Sequence, residues 1–210
     1  LITASGGPFL NLDKNRFENI TPKEALKHPI WKMGKKISID SATMMNKALE
    51  IIEAKYLFNL RNNQIGAIIH PQSIVHAIIN YKNGVSTALM YKPDMKVPIS
   101  SLFSDFNEFS KKNIDVTDLN KLDFFEIDES RFPAFTLVHD VLQNEGLYPN
   151  VFNYLNELLV DFFLKGKIKF TDIVNLNRKN MELIFKKNAN LEDPSIKDIK
   201  NINNWIDKDI

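Results

Sequence analysis

The stretch from Ile37 to Glu53 places the strongest constraint on how this chain can fold. Its first four residues alternate apolar and polar side chains, which is typical of a half-buried strand. Asp40 and Ser41 come next with side-chain oxygens that can cap a helix, and the residues after them favour helix. The pattern therefore predicts a strand, a tight turn and a long helix in direct succession.

The predicted helix carries a narrow polar stripe on a largely apolar surface. At about 100° per residue, the stripe occupies an arc of about 100° and consists of Thr43, Asn46, Lys47 and Glu50. This pattern fits a mostly buried helix whose N-terminal end faces a polar cavity. Free backbone N–H groups and the positive end of the helix dipole lie at such an end, so Ser41, Asn46 and Lys47 would complete a phosphate site. Glu50, one turn further, would face the rest of the ligand.

The same stripe has a simpler interpretation. Asn46, Lys47 and Glu50 could be a solvated helix face with an internal ion pair worth about 0.3 kcal/mol. The helix pattern alone does not decide between a ligand site and a solvated face, so the neighbouring segments have to be considered.

Composition narrows the class of protein. A chain of 210 residues with 44% hydrophobic residues can bury the core of one large or two small domains. The net charge of +1 and the absence of a basic patch interleaved with aromatic residues argue against a nucleic-acid partner. No apolar run approaches the roughly 20 residues that span a bilayer, which argues against a membrane partner. The chain has no cysteine, which excludes disulfides and thiolate metal sites and fits a reducing compartment.

The first residues predict a strand followed by a glycine loop. Leu1 to Ala4 has the character of a strand with nothing before it, and we therefore expect the chain to be the C-terminal part of a longer protein. The glycines of Ser5-Gly6-Gly7-Pro8 permit close backbone approach to a ligand, although such a sequence is also common in ordinary turns.

A short helix and a basic loop follow. Thr21 and Glu24 form a capping box that predicts a helix start, with Pro22 at its first position. The loop from Ile30 to Lys36 carries Trp31 and Met33 among basic residues. These two side chains could plug the core, or the loop could be a mobile flap that closes over a ligand.

The region after the central helix predicts short strands. Gln64–Ile69 is an apolar strand, and the strands 74–81 and 85–91 flank Asn83-Gly84, a signal for a type I′ hairpin. Residues 92–98 contain two prolines and are expected to leave the sheet as an extended loop. His70 and His76 could be metal ligands, but the position of His76 within an alternating strand favours structural roles.

The last part of the chain predicts only helices. Residues 104–130 lack clear periodicity and are interpreted as a linker. The helices beyond it are expected over Phe132–Asn144, Val151–Lys165, Thr171–Phe185 and from Asp193 onward. The predicted fold is an α/β (α+β) domain with a small mixed sheet over residues 1–103, followed by a four-helix bundle-like domain over 131–210.

Several ordered motifs resemble those of the 1-deoxy-D-xylulose 5-phosphate reductoisomerase family, the reductoisomerases of the non-mevalonate isoprenoid pathway. The resemblance extends over essentially the whole chain. It rests on Ser5-Gly6-Gly7-Pro8-Phe9, His28-Pro29-x-Trp31-x-Met33-Gly34-x-Lys36-Ile37, Asp40-Ser41-Ala42-Thr43-Met44-Met45-Asn46-Lys47, Leu49-Glu50, Ile69-His70-Pro71-Gln72-Ser73 and Pro93-Asp94-Met95.

The resemblance implies a role for each site residue. The substrate phosphate and nearby hydroxyls would be held by Ser5, His28, Ser41, Asn46 and Lys47. The catalytic residues would be Glu50, Lys47 and His28. Glu50 would be a carboxylate ligand of Mg²⁺ or Mn²⁺, and this ion would polarise the carbonyl and hydroxyl oxygens of the substrate. The carbon skeleton would rearrange to an aldehyde that NADPH reduces. The side chains covering the substrate and the nicotinamide would be Trp31, Met33 and Met95, and Gly34 would contact NADPH.

The resemblance also implies what lies outside these residues. The family's N-terminal NADPH-binding domain and the Asp-Ser-Glu segment with further metal ligands have no counterpart in this sequence. A homodimer in the bacterial cytoplasm, or in a plastid of a eukaryote, is expected. The alternative is a non-catalytic module that binds phosphate or mediates dimerisation.

Overall fold

The first part of the chain, as far as the structure describes it, contains a small mixed sheet of four strands. The computed structural model describes residues 1–30, 33–100, 103, 114–115, 117, 119–188 and 190–209. The strands are β1 (Ile2–Ala4), β2 (Ala67–Ile69), β3 (Val75–Asn80) and β4 (Ser86–Met90), in the spatial order β2-β1-β3-β4. β1 pairs with β2 in parallel and with β3 antiparallel, and β3 pairs antiparallel with β4. The predicted mixed sheet is confirmed.

The β3–β4 hairpin is confirmed, but its predicted turn type is wrong. A type I′ turn needs positive φ at both central residues. Only Gly84 has a positive φ, at 86°, and its N–H donates to the carbonyl oxygen of Tyr81 over 3.1 Å. The side chain of Asn83 instead accepts the N–H of Val85 at 3.1 Å. This local bond satisfies the turn while Asn83 keeps an ordinary backbone conformation.

In the described residues, four helices belong to the same part of the chain as the sheet. They are α1 (Pro22–Ala25), α2 (Lys35–Ala42), α3 (Met45–Phe58) and α4 (Lys96–Ser100), with short 3₁₀ turns at Lys14–Asn19 and Asn62–Gln64. The predicted capping box is present, because Thr21 Oγ1 accepts the N–H of Glu24 and the Glu24 carboxylate accepts the N–H of Thr21. A helix therefore begins at Pro22, as predicted.

The strand predicted at Ile37–Asp40 is wrong, because these residues form most of α2. Two local bonds favour the helix: Ser38 Oγ donates to the carbonyl of Gly34 at 2.9 Å, and Lys36 pairs with Asp40 four residues on at 2.6 Å. The alternation of apolar and polar residues therefore does not indicate a strand. Ile37 lies on the exposed side of α2, whereas Ser38 and Ile39 are both buried.

The turn between α2 and α3 lies later than predicted. Met44 adopts the left-handed conformation with φ 62° and precedes α3, and no side chain caps that helix. Asp40 and Ser41 thus do not cap α3. Thr43 belongs to the end of α2, where its hydroxyl donates to the carbonyl of Ile39 at 3.0 Å, so it is not part of the polar stripe.

The predicted extended loop over 92–98 is also partly wrong, because α4 begins within it. The Asp94 carboxylate accepts the N–H of Lys96 at 2.9 Å and starts this short helix. Pro98 lies in its first turn, where a missing N–H removes no intrahelical bond.

The helical region closely follows the predicted pattern. It consists of α5 (Pro133–Asn144), α6 (Tyr148–Leu164), α7 (Asp172–Lys187) and α8 (Ile196–Asp209). α6 packs against the other three helices and also against α2. The predicted bundle is confirmed, and α2 and α3 share its hydrophobic core through Ile39, Met45 and Ile51. The predicted division into residues 1–103, 104–130 and 131–210 stays a prediction.

No helix in the described ranges is long and apolar enough to cross a bilayer.

Candidate functional site

The polar stripe of α3 forms one connected cluster. The Asn46 amide donates to Glu50 Oε1 at 2.5 Å, and the Lys47 ammonium pairs with Glu50 Oε2 at 2.5 Å. The side chain of Lys47 is 12% exposed and that of Glu50 is 37% exposed. A carboxylate therefore holds an amide and an ammonium together near the N-terminal end of α3, where Met45 and Ala48 are fully buried.

The glycine loop after β1 packs against the end of α2. Gly6 and Gly7 have positive φ angles of 86° and 65°, and a Cβ at Gly7 would lie 2.8 Å from the carbonyl oxygen of Ser41. Only glycine permits this approach without displacing backbone. This packing holds the loop that carries Ser5 beside Ser41, although Ser5 and Ser41 are 36 positions apart in the sequence.

Ser5 is also joined to His28. His28 Nε2 lies 3.1 Å from Ser5 Oγ, and His28 Nδ1 accepts the N–H of Ile30 at 3.1 Å. Burial lowers the pKa of His28, so the ring is neutral at pH 7. With Nδ1 as an acceptor, Nε2 carries the hydrogen and donates to Ser5 Oγ.

The resulting arrangement orients the Ser5 hydroxyl. Ser5 Oγ accepts the hydrogen of His28 Nε2 and the N–H of Gly7 at 3.2 Å. Its two acceptor positions are then used, so the hydroxyl hydrogen is the group that Ser5 can offer to a ligand oxygen.

The end of the hairpin lies beside the α3 cluster. The rings of His76 and Tyr91 stack with centroids 3.6 Å apart and an interplanar angle of 5°, and His76 Nε2 lies 3.0 Å from the Tyr91 carbonyl oxygen. The pKa of His76 is lowered mainly by burial, with a contribution from the charge of Lys47. The pKa of Tyr91 is raised by burial and by the charge of Glu50.

Sequence reasoning missed this stacked pair as part of the site. The sequence favours a structural role for His76 within a strand and places Tyr91 at the end of the next strand. The observed register would place His76 opposite Met90, and an irregularity between Val75 and Ala77 shifts the pairing at this position. The proximity of the two rings to the α3 cluster depends on how the sheet packs, which no local pattern reveals.

His70, the other histidine considered as a metal ligand, is fully buried. Its Nδ1 lies 2.8 Å from the Asp123 carbonyl oxygen, and its ring stacks on Phe124 at 4.7 Å. In the parts of the chain that the structure describes, no three His, Cys, Asp or Glu residues are arranged to hold a metal ion.

The residues expected to cover a ligand are only partly described. Met33 is half-buried, and Gly34 is the N-cap residue just before α2, with open space where a Cβ would lie. Met95 is 52% exposed just before α4. Trp31 lies outside the described residues.

Glu50 can supply part of a metal site but does not complete one. Mg²⁺ takes six oxygen ligands and is commonly bound through one or two carboxylates together with substrate and water. Glu50 is partly exposed and can supply one such carboxylate. The sequence contains no Gly-x-Gly-x-x-Gly loop for a dinucleotide. Glu50 alone supplies one of the six oxygen ligands that Mg²⁺ takes.

The fold and this site define a class of protein. A mixed sheet with an attached helix bundle carries a lysine and an amide at the start of α3, and a hydroxyl joined to a neutral histidine in the loop that packs against the end of α2. This chemistry is typical of α/β proteins that bind small phosphorylated molecules.

Comparison with known proteins identifies the family. The family model described as the 1-deoxy-D-xylulose 5-phosphate reductoisomerase C-terminal domain matches residues 1–58. A second, described as the DXP reductoisomerase C-terminal domain, matches residues 90–208. The chain belongs to the 1-deoxy-D-xylulose 5-phosphate reductoisomerase family.

Curated relatives agree with this assignment. The chain is 44% identical over 208 residues to the reductoisomerase of Pelagibacter ubique, covering 98% of this chain and 54% of the relative. It is 49% identical over 179 residues to that of Anaplasma phagocytophilum, covering 83% of this chain and 46% of the relative. The chain thus spans about half the length of the curated relatives it matches.

Solved structures show the same fold. The reductoisomerase from Zymomonas mobilis in complex with NADPH has a TM-score of 0.85 at 37% identity, over 97% of this chain and 52% of the other. A reductoisomerase in complex with NADPH, fosmidomycin and magnesium has a TM-score of 0.87 at 36% identity, over 99% of this chain and 52% of the other.

Proposed function

We propose that these residues form the substrate-binding half of an NADPH-dependent and divalent-metal-dependent reductoisomerase. Its reaction would convert 1-deoxy-D-xylulose 5-phosphate to 2-C-methyl-D-erythritol 4-phosphate. The observation that carries the proposal is the cluster of Asn46, Lys47 and Glu50 at the end of α3, on a chain whose relatives bear this enzyme's name. Those relatives are about twice as long, so the remaining parts of the site would come from residues beyond these 210.

The chain's own residues would hold the phosphate by complementary means. Lys47 supplies a positive charge that is mostly desolvated, which strengthens its attraction for a phosphate. Ser5 donates its hydroxyl hydrogen, as its acceptor positions are used by His28 and Gly7. Asn46 and Ser41 would add an amide and a hydroxyl at the same end of the helix.

Glu50 would connect the phosphate site to the reacting carbons. Its carboxylate would hold a Mg²⁺ or Mn²⁺ ion. To do so, it would give up part of its contact with the Asn46 amide and the Lys47 ammonium. When bound, the ion supplies Lewis-acid polarisation of the substrate oxygens and NADPH supplies the hydride. Met33, Trp31 and Met95 would exclude water above the substrate, and Gly34 would allow NADPH to approach the backbone.

We further propose that the protein is a homodimer formed through the hairpin. β4 is an edge strand whose residues Ser86 to Leu89 are exposed, and Ile79 and Leu89 are 55% and 57% exposed on the same face. A second copy would pair with this edge and cover the apolar face. Sedimentation should give a dimer mass, and Leu89→Lys should shift it to the monomer mass. A monomeric wild-type chain would overturn this proposal.

The family supports a proposal for the compartment. The matched relatives are bacterial, so we propose the bacterial cytoplasm, or a plastid in a eukaryotic host.

A fusion experiment tests the catalytic proposal. Residues 1–210 are joined to the N-terminal part of the Pelagibacter ubique relative, and the relative cut and rejoined at the same position serves as the control. The fusion should oxidise NADPH when both 1-deoxy-D-xylulose 5-phosphate and Mg²⁺ are present. The 210-residue chain alone should be inactive but should retain phosphate binding in the millimolar range, since it lacks the groups that position hydride donor and metal.

Two results would contradict the proposal. One is substrate-dependent NADPH oxidation by the 210-residue chain alone. The other is an inactive fusion beside an active control, with phosphate binding retained, which would favour a non-catalytic phosphate-binding module.

A further inference from the structure

The end of α2 nearest the site is fastened to the helical bundle by one buried polar contact. Asn156 Nδ2 on α6 donates to Asp40 Oδ1 on α2 at 2.9 Å. Asn156 is 0% exposed and Asp40 is 1% exposed. The two residues are 116 positions apart in the sequence, so this bond exists only once the bundle has packed against the first part of the chain.

Asp40 joins Asn156 to both ends of α2. Its second oxygen, Oδ2, pairs with Lys36 at 2.6 Å in the first turn of the helix. Gly34, at the start of α2, ends the loop expected to cover the substrate, and Ser41, next to Asp40, contacts the Ser5 loop through its carbonyl at Gly7. A change in the position of α2 would therefore move phosphate-binding and cofactor-binding residues together.

Burial of this pair is costly for folding. Burial raises the pKa of Asp40, which shows that the carboxylate loses hydration that its partners only partly replace. Asn156 Oδ1 is buried and makes no hydrogen bond in the described structure. An apolar pair of the same shape would avoid both costs, so the polar pair is expected to provide a specific position rather than stability.

We propose that Asn156 is a positioning residue for the phosphate site, holding α2 through Asp40 so that Ser41 and the Ser5 loop stay in register with Lys47. This inference rests on the proposed function. Asn156 lies on α6 and its amide donates to Asp40, so its effect on binding is transmitted by Asp40.

A matched control exists in the same bundle. Asn177 is also 0% exposed, its amide donates to a buried carbonyl, that of Phe152 at 3.0 Å, and its Oδ1 also lacks a partner in the described structure. It joins α7 to α6 and not to α2. Asn156→Ala and Asn177→Ala therefore remove the same buried amide from the same bundle, but only the first releases α2.

The test compares the two variants by phosphate titration and by hydrogen exchange of the α2 amides, in the 210-residue chain. Asn156→Ala should weaken binding of inorganic phosphate at least fivefold and speed exchange over residues 38–42 at least tenfold. Asn177→Ala should lower the melting temperature to a similar degree but change the phosphate Kd less than twofold and leave α2 exchange unchanged. The fusion enzyme should show the same contrast as a rise in KM for Asn156→Ala.

Equal effects of the two variants on binding and on α2 exchange would overturn the inference, as would unchanged α2 exchange in Asn156→Ala. If Asn156→Ala fails to fold, Asn156→Ser, which keeps a shorter polar group, provides the comparison and is expected to give a smaller change in the same direction. If the wild-type chain binds no phosphate, the proposed function fails. A selective rise of α2 exchange in Asn156→Ala would then still support the fastening of α2, and its absence would overturn it.

Discussion

Two lysines on α3 are buried to a similar degree, but one pairs within its own helix and the other pairs with a residue at the end of α5. The side chain of Lys47 is 12% exposed and that of Lys55 is 11% exposed. Lys47 pairs with Glu50 three residues away in the same helix. Lys55 reaches across to the C-terminal end of α5, where its ammonium donates to the carbonyl of Leu142 at 3.1 Å and pairs with Glu145 at 2.5 Å.

The difference supports the proposal that the N-terminal end of α3 receives the ligand. Lys55 links two helices and completes its donors with Asn62 Oδ1 at 2.7 Å, so its charge is used within the fold. The ion pair of Lys47 ties no other element to α3, and a pair of this kind adds only about 0.3 to 0.5 kcal/mol to stability. Burying a lysine costs free energy in both cases. For Lys55, bonds to other elements of the fold offset this cost, whereas Lys47 has only its pair within α3.

The largest expected effect concerns Glu50, the carboxylate that holds the Lys47 end together. In the fusion enzyme, Glu50→Gln should lower metal-dependent turnover at least about 100-fold, because it removes a charge from a hard-cation site while keeping the shape of the side chain. Phosphate binding should change far less. Turnover and phosphate binding are measured separately, and equal loss of both would mean that Glu50 has a structural role.

The next effect separates the two lysines in binding. Lys47→Ala should weaken phosphate binding by about 1.5 to 3 kcal/mol, the range for loss of a charge-assisted hydrogen bond. Its unfolding free energy should change by less than about 0.5 kcal/mol. Calorimetric titration and urea unfolding measure the two quantities, and an unchanged Kd would show that Lys47 belongs to a solvated helix face.

Lys55 should behave in the opposite way. Lys55→Met keeps the apolar stem but removes the bonds to α5, and it should lower the unfolding free energy by about 1 to 3 kcal/mol. Phosphate binding should be unchanged within about twofold. A loss of binding without a loss of stability would contradict the division of α3 into a ligand-facing end and a fold-facing end.

The smallest effect is a pH dependence from Asp40, which like Lys55 serves the fold. Its pKa is raised above 3.8 by burial, so the native state binds its proton more tightly than the unfolded state does. Between 3.8 and the raised value, this residue makes stability fall as the pH rises. Asp40→Asn should remove that contribution. The unfolding free energy of the variant minus that of the wild type should therefore increase with pH across this window. A difference independent of pH there would contradict the raised pKa.

Local sequence signals predicted those parts of the fold that depend on neighbouring residues. The capping box at Thr21, the hairpin around Gly84 and the helices of the bundle follow from caps, turn residues and periodicity, and each was found. The Asn46, Lys47 and Glu50 stripe was also predicted, since spacing along one helix fixes it.

The signals failed where distant contacts decide the structure. Ile37–Asp40 alternates like a strand, but in α2 Ser38, Ile39 and Asp40 are all buried because this helix packs against α3 and α6. The position of His76 and Tyr91 beside Lys47 likewise depends on the packing of the sheet, which is encoded by residues spread along the chain.

The most direct test of the central claim is a map of where phosphate binds. Inorganic phosphate is titrated into the ¹⁵N-labelled 210-residue chain while the backbone amide shifts are recorded. Shifts should concentrate at residues 5–7, 41 and 46–47, saturate with one Kd, persist in Lys55→Met and disappear in Lys47→Ala. Shifts spread over the lysine-bearing surface of α7 and α8, or unchanged by Lys47→Ala, would contradict a phosphate site at the N-terminal end of α3.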